Sequence, residues 1–242
     1  MNEKKILVIV PAFNESGNIA KTVTELLALP LPLMVLVVND GSKDATAREA
    51  KAAGAQVISL IYNLGIGGAV QTGFKFAKLK DFDIAVQVDG DGQHDVRYLG
   101  QLIKPIVLGH ADMTIGSRFL RPYLGYQSSF VRRIGINFFA WLLSALTRCR
   151  VTDPTSGFRA FNQRTIKIFA EYYPHDFPEP EAIMVAQLNY TRILEVPVEM
   201  RKRAAGLSSI RYLKTLYYMI KVTFAILLYK IKKKRPSSFK KG

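Results

Sequence analysis

Short apolar runs alternate with amphipathic stretches along the first 118 residues, and this alternation restricts the fold more than any other feature. Stretches with helical spacing occupy residues 18–29, 45–54, 66–79 and 96–108. The other runs have the composition of buried strands: "ILVIVPAF", "LMVLVVND", "AQVISL", "FDIAVQVD" and "ADMTIGSR". Regular alternation of this kind predicts an α/β fold, in which helices flank a mostly parallel sheet.

Polar residues follow each of the predicted strands. They are Asn14 and Glu15, Asn39 and Asp40, Asn63, Asp89 and Asp91, and Ser117 and Arg118. In a sheet of this type, ligands bind outside the carboxyl ends of the strands, near a reversal in strand order. We therefore expect one polar cleft at that edge of the sheet.

The loop after the fourth predicted strand is rich in acid. Asp89, Asp91 and Asp95 follow a buried strand, where carboxylates repel one another unless a cation neutralises them. Asp89 and Asp91 offer oxygen ligands to a hard divalent ion, Mg²⁺ or Mn²⁺, and Gln93 and His94 can also approach it. We interpret His94 as a structural hydrogen-bonding residue rather than a ligand, and Asp95 as the cap of the next helix.

A calcium loop of the EF-hand type is excluded at this position. Such a loop needs glycine at the sixth position from Asp89 and an acid at the twelfth, where this chain has His94 and Gly100. A turn that only caps the following helix is the remaining alternative to a metal site.

A glycine-rich turn, "NLGIGGAVQTGF", precedes the third predicted helix. The dinucleotide fingerprint would begin at Gly65 and Gly67 but then needs glycine at position 70, which is Val70, and the lysine of a P-loop is missing. Two interpretations stay open. The turn either brings the backbone close to an anion at a helix N-terminus, or it allows tight packing of the helix.

The positive charge is concentrated late in the chain. From residue 201 onward there are 13 lysines and arginines and no acid, which leaves 21 basic against 19 acidic residues before it. Such a segment can meet nucleic acid, anionic lipid or water. Its apolar stretch, residues 215–229, is too short to span a bilayer and contains Lys221, which favours an interfacial helix.

With a single cysteine and no expected signal peptide, a reducing compartment is favoured.

Taken together, the motifs resemble family 2 glycosyltransferases. "VPAFNE", "VVNDGSKDAT", "NLGIGGAVQTGF", "VDGDGQHD", "GSRF" and "DPTSGFRAFN" occur in the order found in that family. The resemblance covers residues 5–210 and is greatest to dolichyl- or polyprenyl-phosphate sugar synthases. It implies a Rossmann-like GT-A catalytic domain at residues 1–210. We expect an interfacial amphipathic helix at 211–231 and a basic, disordered tail at 232–242.

The resemblance implies a donor site for a UDP- or GDP-sugar. The resemblance implies that Pro11, Ala12, Glu15 and Asp40 hold the base and ribose. Gly65 and Gly67 of the glycine-rich turn are also expected to bind the donor. The resemblance also assigns Asp89, Asp91 and Gln93 to the metal ion, which binds the donor diphosphate. Members of this type invert the anomeric centre in one displacement.

The acceptor leaves two alternatives open. A phosphate monoester, with a second pKa of about 6, is already anionic and needs cations rather than a base. The resemblance places Arg118, Arg132 and Arg133 at such a phosphate, which suits their fork geometry. A hydroxyl acceptor needs a general base, for which Asp153 and Glu179 or Glu181 are the candidates.

The sequence therefore predicts a metal-dependent hexosyltransferase, peripheral on the cytoplasmic face of the cell membrane. The predicted acceptor is polyprenyl phosphate, with a hydroxyl of a lipid-linked glycan as the alternative. The expected partners are the nucleotide sugar, the polyprenyl lipid, an anionic membrane surface and a membrane partner subunit. Nucleic acid is not expected, because the acidic loop repels its backbone. A catalytically silent, membrane-bound adaptor is the non-enzyme alternative.

Overall fold

The computed structural model describes residues 4–120, 130–147, 149–175, 178–201 and 221–229, with only the backbone for 130–132. Within these ranges seven strands form one sheet. The strands are β1 (Ile6–Ala12), β2 (Leu33–Asn39), β3 (Gln56–Ser59), β4 (Ile84–Gln87), β5 (Met113–Ser117), β6 (Arg159–Asn162) and β7 (Ile193–Pro197).

Helices cover both faces of this sheet. They are α1 (Ile19–Leu27), α2 (Thr46–Ala52), α3 (Gly65–Leu79), α4 (Leu99–Val107), α5 (Phe130–Thr147), α6 (Gln163–Glu171) and α7 (Pro178–Leu188). A short 3₁₀ turn, Val96–Tyr98, leads into α4, and residues 221–229 are also helical. The fold class predicted from the sequence, a mostly parallel sheet flanked by helices, is confirmed.

The strand order is β3-β2-β1-β4-β6-β5-β7. All neighbouring strands are parallel except β6, which runs antiparallel to β4 and to β5. The strands β1 to β5 lie where the sequence predicted them, whereas β6 and β7 were not predicted. The topology therefore inserts a late segment of the chain into the centre of the sheet.

Side chains of β1 alternate between two cores. Leu7 and Ile9 belong to the core beneath α3, α6 and α7, whereas Val8 and Val10 belong to the core beneath α1 and α4. All seven residues of β1 are buried, which explains why the strand is almost entirely apolar in sequence.

Residues 221–229 pack onto the first of these cores. Val222 and Ile226 are fully buried there, while Phe224, Leu227 and Leu228 are exposed on the other side. This part of the predicted helix 211–231 is thus amphipathic, but its contact with a membrane stays a prediction. Residues 211–220 and the predicted tail 232–242 lie outside the described residues. Among the helices that the structure does describe, none has both the length and the apolar character needed to cross a membrane.

An ion pair between the buried Asp112 and the exposed Arg192 ties the ends of β5, β6 and β7 together. The Asp112 carboxylate accepts hydrogen bonds from Arg192 Nε at 3.0 Å, from Arg192 Nη2 at 3.0 Å and from Asn162 Nδ2 at 2.8 Å. These bonds, those from Arg192 above all, hold the pKa of the Asp112 carboxyl below its ordinary value of 3.8.

We expect Asp112→Asn to lower the free energy of unfolding by about 2 kcal/mol at pH 7, because a charge-assisted network is lost. Since the pKa of Asp112 is lower in the folded protein, its stabilisation is complete above the unfolded value and disappears as the pH falls through the folded value. Urea titrations of both proteins at pH 7 and below pH 3.8 measure the difference. A difference that did not shrink in acid would contradict this account.

Candidate active site

The carboxyl ends of β1, β2 and β3 are held together by hydrogen bonds between their loops. The Asp40 amide donates to Ala12 O at 2.9 Å, and the Leu60 amide donates to Asn39 O at 2.9 Å. The buried Asp40 carboxylate accepts from the Leu64 amide at 2.7 Å. The polar residues predicted at these strand ends therefore do meet at one edge of the sheet.

The predicted nucleotide residues lie along this edge. Pro11 and Ala12 are the last residues of β1, opposite Val38 and Asn39 of β2. The amide of Glu15 donates to Thr46 Oγ1 at 2.8 Å, which joins the loop after β1 to the start of α2. Pro11, Ala12, Glu15 and Asp40 are thus brought together, and their binding of a nucleotide stays a prediction.

The glycines of the turn before α3 have different structural roles. Gly65 has a φ of +79°, a left-handed conformation that favours glycine. Gly67 instead packs against the loop after α6, where a Cβ atom would lie 2.2 Å from Pro174 O and 2.4 Å from His175 O. Gly67 therefore follows the tight-packing interpretation, and an anion-binding role for Gly65 stays a prediction.

His94 supports the acidic turn that follows β4. Its Nδ1 accepts a hydrogen bond from the Asp89 amide at 3.0 Å, and its ring stacks on Phe158 at 5.0 Å between centroids. Burial lowers the pKa of His94 to about 4, so the ring is neutral at pH 7. The remaining ring proton is then on Nε2, 3.6 Å from Asp89 Oδ2. This matches the structural interpretation of His94, and Asp95 caps the next turn as predicted.

The Asp89 carboxylate is suited to a cation. Its Oδ1 is enclosed and accepts no hydrogen bond of ordinary geometry from the described residues, although Gln87 lies close to the carboxylate and the side chain as a whole is 33% exposed. Burial, and then the neighbouring charge of Asp91, raise the pKa of Asp89 to about 7. Asp91 Oδ1 accepts from the Gln93 amide at 3.0 Å, which keeps both acids in one short turn. An unpaired buried oxygen beside a second carboxylate fits a divalent ion.

In the part of the chain that the structure describes, no three side chains of His, Cys, Asp or Glu converge closely enough to hold a metal ion alone. The predicted donor set is the two carboxylates of Asp89 and Asp91 together with Gln93. Magnesium sites of enzymes that act on phosphates commonly use one or two carboxylates and complete the shell with substrate phosphate and water. The residues present therefore fit an ion that binds together with its substrate.

The segment around β6 packs against the acidic turn from the other side. A Cβ atom on Gly157 would lie 3.0 Å from Asp89 Oδ1 and 3.1 Å from Asp89 Oδ2. Arg159 is fully buried and donates to Ser156 O at 2.7 Å, Pro154 O at 3.0 Å and Glu179 O at 2.8 Å. No sequence pattern singled out Arg159; the available signal was a charged residue in the apolar run "FRAF". Against the effects of burial and of Asp91, Gln87 and then the cation of Arg159 lower the pKa of Asp89.

Two predicted site residues, Arg118 and Asp153, bind each other. Arg118 Nε donates to Asp153 Oδ2 at 2.6 Å, and Nη2 donates to Asp153 Oδ1 at 2.6 Å and to Thr155 Oγ1 at 2.9 Å. Asp153 is fully buried, and its amide donates to Glu195 Oε1 at 2.9 Å. Asp153 therefore orients Arg118, whose contact with an acceptor phosphate stays a prediction.

Arg133 comes close to Arg118 through a shared aromatic ring. The guanidinium carbons of Arg118 and Arg133 lie 5.3 Å and 5.8 Å from the centroid of the Phe119 ring. Arg132 belongs to the first turn of α5, but its side chain lies outside the described residues. Two of the three predicted arginines are thus gathered around one ring.

The first turn of α7 presents its two acids to different neighbours. The carbonyl of Glu179 accepts from Arg159, and burial raises the pKa of the Glu179 carboxyl. Glu181 Oε2 accepts from the Tyr229 hydroxyl at 3.4 Å, and that hydroxyl also pairs with Tyr172. Of the two acids, Glu179 therefore lies on the side of Asp89 and Arg159, whereas Glu181 faces the helix at 221–229.

Residues 7–169, well over half of the chain, match the family described as glycosyl transferase family 2. The chain belongs to glycosyltransferase family 2. This family 2 glycosyltransferase is 36% identical over 204 residues to an uncharacterised protein of Methanocaldococcus jannaschii, with 82% of each chain covered. It is 31% identical over 221 residues to the UDP-N-acetylglucosamine–dolichyl-phosphate N-acetylglucosaminyltransferase of Methanococcus voltae, covering 82% of this chain and 86% of the relative. It is 28% identical to the undecaprenyl-phosphate mannosyltransferase of Micrococcus luteus, covering 84% and 86%.

Solved structures confirm the GT-A fold of this family 2 glycosyltransferase. It superimposes with a TM-score of 0.69 on glucosyl-3-phosphoglycerate synthase from Mycobacterium tuberculosis in complex with Mn²⁺, UDP and glucosyl-3-phosphoglycerate. The superposition covers 97% of this chain and 82% of the synthase at 20% sequence identity, so the similarity concerns the fold alone.

Proposed function

We propose that this enzyme transfers a sugar from a UDP- or GDP-sugar to a polyprenyl phosphate, with inversion at the anomeric carbon. The observation that carries the proposal is the acidic turn after β4, where Asp89 keeps an unpaired oxygen beside Asp91 at the same edge of the sheet as Ala12 and Asp40. The named activities of the relatives from Methanococcus voltae and Micrococcus luteus, both transfers to a lipid phosphate, support the acceptor.

The donor would lie along the ends of β1, β2 and β4. Pro11, Ala12 and Asp40 would hold the nucleoside, while Asp89, Asp91 and Gln93 would hold Mg²⁺ or Mn²⁺. When bound, the ion supplies Lewis-acid stabilisation of the departing nucleoside diphosphate. Glucosyl-3-phosphoglycerate synthase, which has the same fold, was solved in complex with Mn²⁺ and UDP. This supports a divalent ion but does not decide between Mg²⁺ and Mn²⁺.

The ion pair between Arg118 and Asp153 favours a phosphate acceptor. Asp153 is fully buried and engaged by two nitrogens of Arg118, which makes it a poor general base. Arg118 and Arg133, gathered around Phe119, provide the cations that an anionic acceptor needs. We propose that Asp153 orients Arg118 toward the acceptor phosphate rather than taking part in proton transfer.

Transfer to a hydroxyl of a lipid-linked glycan is the second candidate function. Glu179 favours it, because burial raises the pKa of its carboxyl more than the neighbouring Arg159 lowers it, and Asp89 also raises it. A carboxylate with a raised pKa is a better general base for a sugar hydroxyl.

We propose a peripheral position on the cytoplasmic face of the cell membrane. Large apolar side chains are exposed on α5 and on the helix at 221–229: Ile134, Phe138, Trp141, Phe224, Leu227 and Leu228. The lysines and arginine at 230–235 follow directly, and each adds about 1 kcal/mol of attraction to an anionic surface. Both features suit an enzyme whose acceptor is embedded in the bilayer.

Arg118→Lys is expected to lower transfer to polyprenyl phosphate by at least about 100-fold. A lysine has a single ammonium group, which cannot replace the two-atom contact of the guanidinium with Asp153 and still present a charge to the acceptor phosphate. Glu181→Gln is expected to keep most of the activity, since a phosphate acceptor needs no base. The assay is transfer of radiolabelled sugar from UDP- and GDP-sugars to polyprenyl phosphate and, separately, to a lipid-linked saccharide.

The melting temperature of each variant is measured beside its activity, because the buried carboxylate of Asp153 loses its partner when Arg118 is replaced. The second candidate function would be favoured if the enzyme transferred sugar only to the lipid-linked saccharide. In that case Glu179→Gln would abolish the transfer and Arg118→Lys would retain it.

A further inference from the structure

The chain runs alongside the acidic turn after it leaves β7. Met200 pairs with His94 in an antiparallel bridge, and the Arg201 amide donates to Gln93 O at 2.8 Å. The backbone beyond β7 therefore contacts the outer part of the turn that begins at Asp89.

The side chain of Arg201 extends this contact to two further elements. Its Nη1 donates to Glu25 Oε2 of α1 at 2.6 Å, and its Nη2 donates to Asp95 Oδ1 at 3.1 Å. The side chains of Arg201 and Glu25 are 33% and 29% exposed and that of Asp95 only 3%, so solvent screens these pairs less than surface pairs. One arginine thus links α1, the acidic turn and the end of β7.

The acidic turn needs support at both ends because its backbone is adaptable. It contains Gly90 and Gly92, and Gly92 has a φ of +73°. The inner end is held by β4 and by the hydrogen bond from the Asp89 amide to His94. At the outer end, Arg201 contacts Gln93 through its backbone and Asp95 through its side chain.

We infer that Arg201 is a positioning residue, which holds Gln93 and the outer half of the acidic turn in the geometry that binds the metal ion. This inference rests on the proposed function for the identity of the ligand. Arg201 is one of the basic residues counted from position 201 onward, within the catalytic domain predicted at 1–210, and its partners place it beside the acidic turn. Residues that orient metal ligands without touching the ion commonly contribute 10- to 100-fold to metal affinity.

Arg192 offers a matched control, since it also pairs with a buried aspartate next to β7. Arg192 binds Asp112 through Nε and Nη2, at the end of β7 opposite to Arg201. Arg192→Gln and Arg201→Gln each remove a pair with a buried aspartate, Arg201→Gln also removes the pair with Glu25, and both variants are expected to lower the melting temperature. A purely structural role for Arg201 would make the two variants alike in every other measurement.

The test measures Mn²⁺ binding to the full chain by electron paramagnetic resonance of free Mn²⁺, first alone and then with UDP or GDP. We expect Arg201→Gln to weaken Mn²⁺ binding at least 10-fold, Arg201→Lys to restore part of the affinity, and Arg192→Gln to bind like the original protein. Amide hydrogen exchange is expected to accelerate at residues 90–95 in Arg201→Gln only.

Equal Mn²⁺ affinity and equal exchange in Arg201→Gln and the original protein would overturn the inference while leaving the proposed function intact. The same loss of affinity in Arg192→Gln would overturn it as well. If the original protein bound no Mn²⁺ with or without nucleotide, the proposed metal site would fail, and the inference with it.

Discussion

Asp91→Asn is expected to lower the rate of sugar transfer by about 1,000-fold and to abolish any dependence of UDP or GDP binding on Mn²⁺. The variant removes one of the two carboxylates of the proposed metal site, where the protein would supply few other ligands. The leaving diphosphate then develops its charge without stabilisation, at a cost comparable to the loss of a preorganised electrostatic contact. Asp89→Asn is expected to have a similar effect.

The thermal stability of Asp91→Asn and Asp89→Asn is expected to stay the same or to rise, although their activity falls. Burial, and then the charge of Asp91, raise the pKa of Asp89, as expected for an enclosed carboxylate beside a second one. Either asparagine variant is therefore expected to melt at the same temperature as the original protein or a few degrees higher in the presence of a chelator. Thermal melts of the variants and of the original protein, recorded with EDTA and with Mn²⁺, measure this change in stability.

Asp83→Asn is the matched control for both variants. Asp83 precedes β4 at the opposite end of the strand, where its carboxylate binds the Lys5 amide at 3.0 Å. Its replacement should leave transfer and Mn²⁺ dependence unchanged. Full activity of Asp91→Asn with the metal chelated would refute the metal-dependent mechanism.

Gly157→Ala is expected to lower transfer by at least about 100-fold with a much smaller effect on folding. The new Cβ atom would lie 3.0 Å and 3.1 Å from the two oxygens of Asp89 and 3.3 Å from Gln87 Nε2. Because β4 and β6 are paired strands, the Asp89 side chain is the part that can yield. A displacement of about 1 Å at a group that positions a substrate can cost two orders of magnitude in rate.

Gly100→Ala provides the control for the added methyl group. Gly100 lies in α4, and no atom lies within 4 Å of the position its Cβ would occupy. Alanine there should raise helix stability by about 1 kcal/mol and leave transfer unchanged. Activity of Gly157→Ala equal to that of Gly100→Ala would show that Asp89 does not depend on the close approach of β6.

The first half of the fold was predictable because its signals are local. A strand such as β1 is an uninterrupted apolar run, and the amphipathic spacing of α1 and α4 is visible within a few turns. The polar strand ends could be placed at one edge from topology alone. The place of the acidic turn after β4 and the structural role of His94 agree with the sequence analysis, and metal binding by the turn stays a prediction.

The second half depends on contacts between distant segments. β6 has four residues, includes the charged Arg159 and gains its stability from pairing with β4 and β5. The pairing of Arg118 with Asp153 spans 35 residues, and that of Arg201 with Glu25 spans 176. No periodicity carries such information, because the partners meet only after the sheet has formed.

The antiparallel insertion of β6 also makes the two halves of the chain dependent on each other for folding. Without β6, the edge of β4 would present unpaired amides and carbonyls to solvent. Such an edge can pair with other molecules and so promotes aggregation. During synthesis, the sheet formed by β1 to β4 therefore keeps this edge unpaired until β6 has been made. We therefore expect the sheet to unfold as a single cooperative unit rather than as two independent modules.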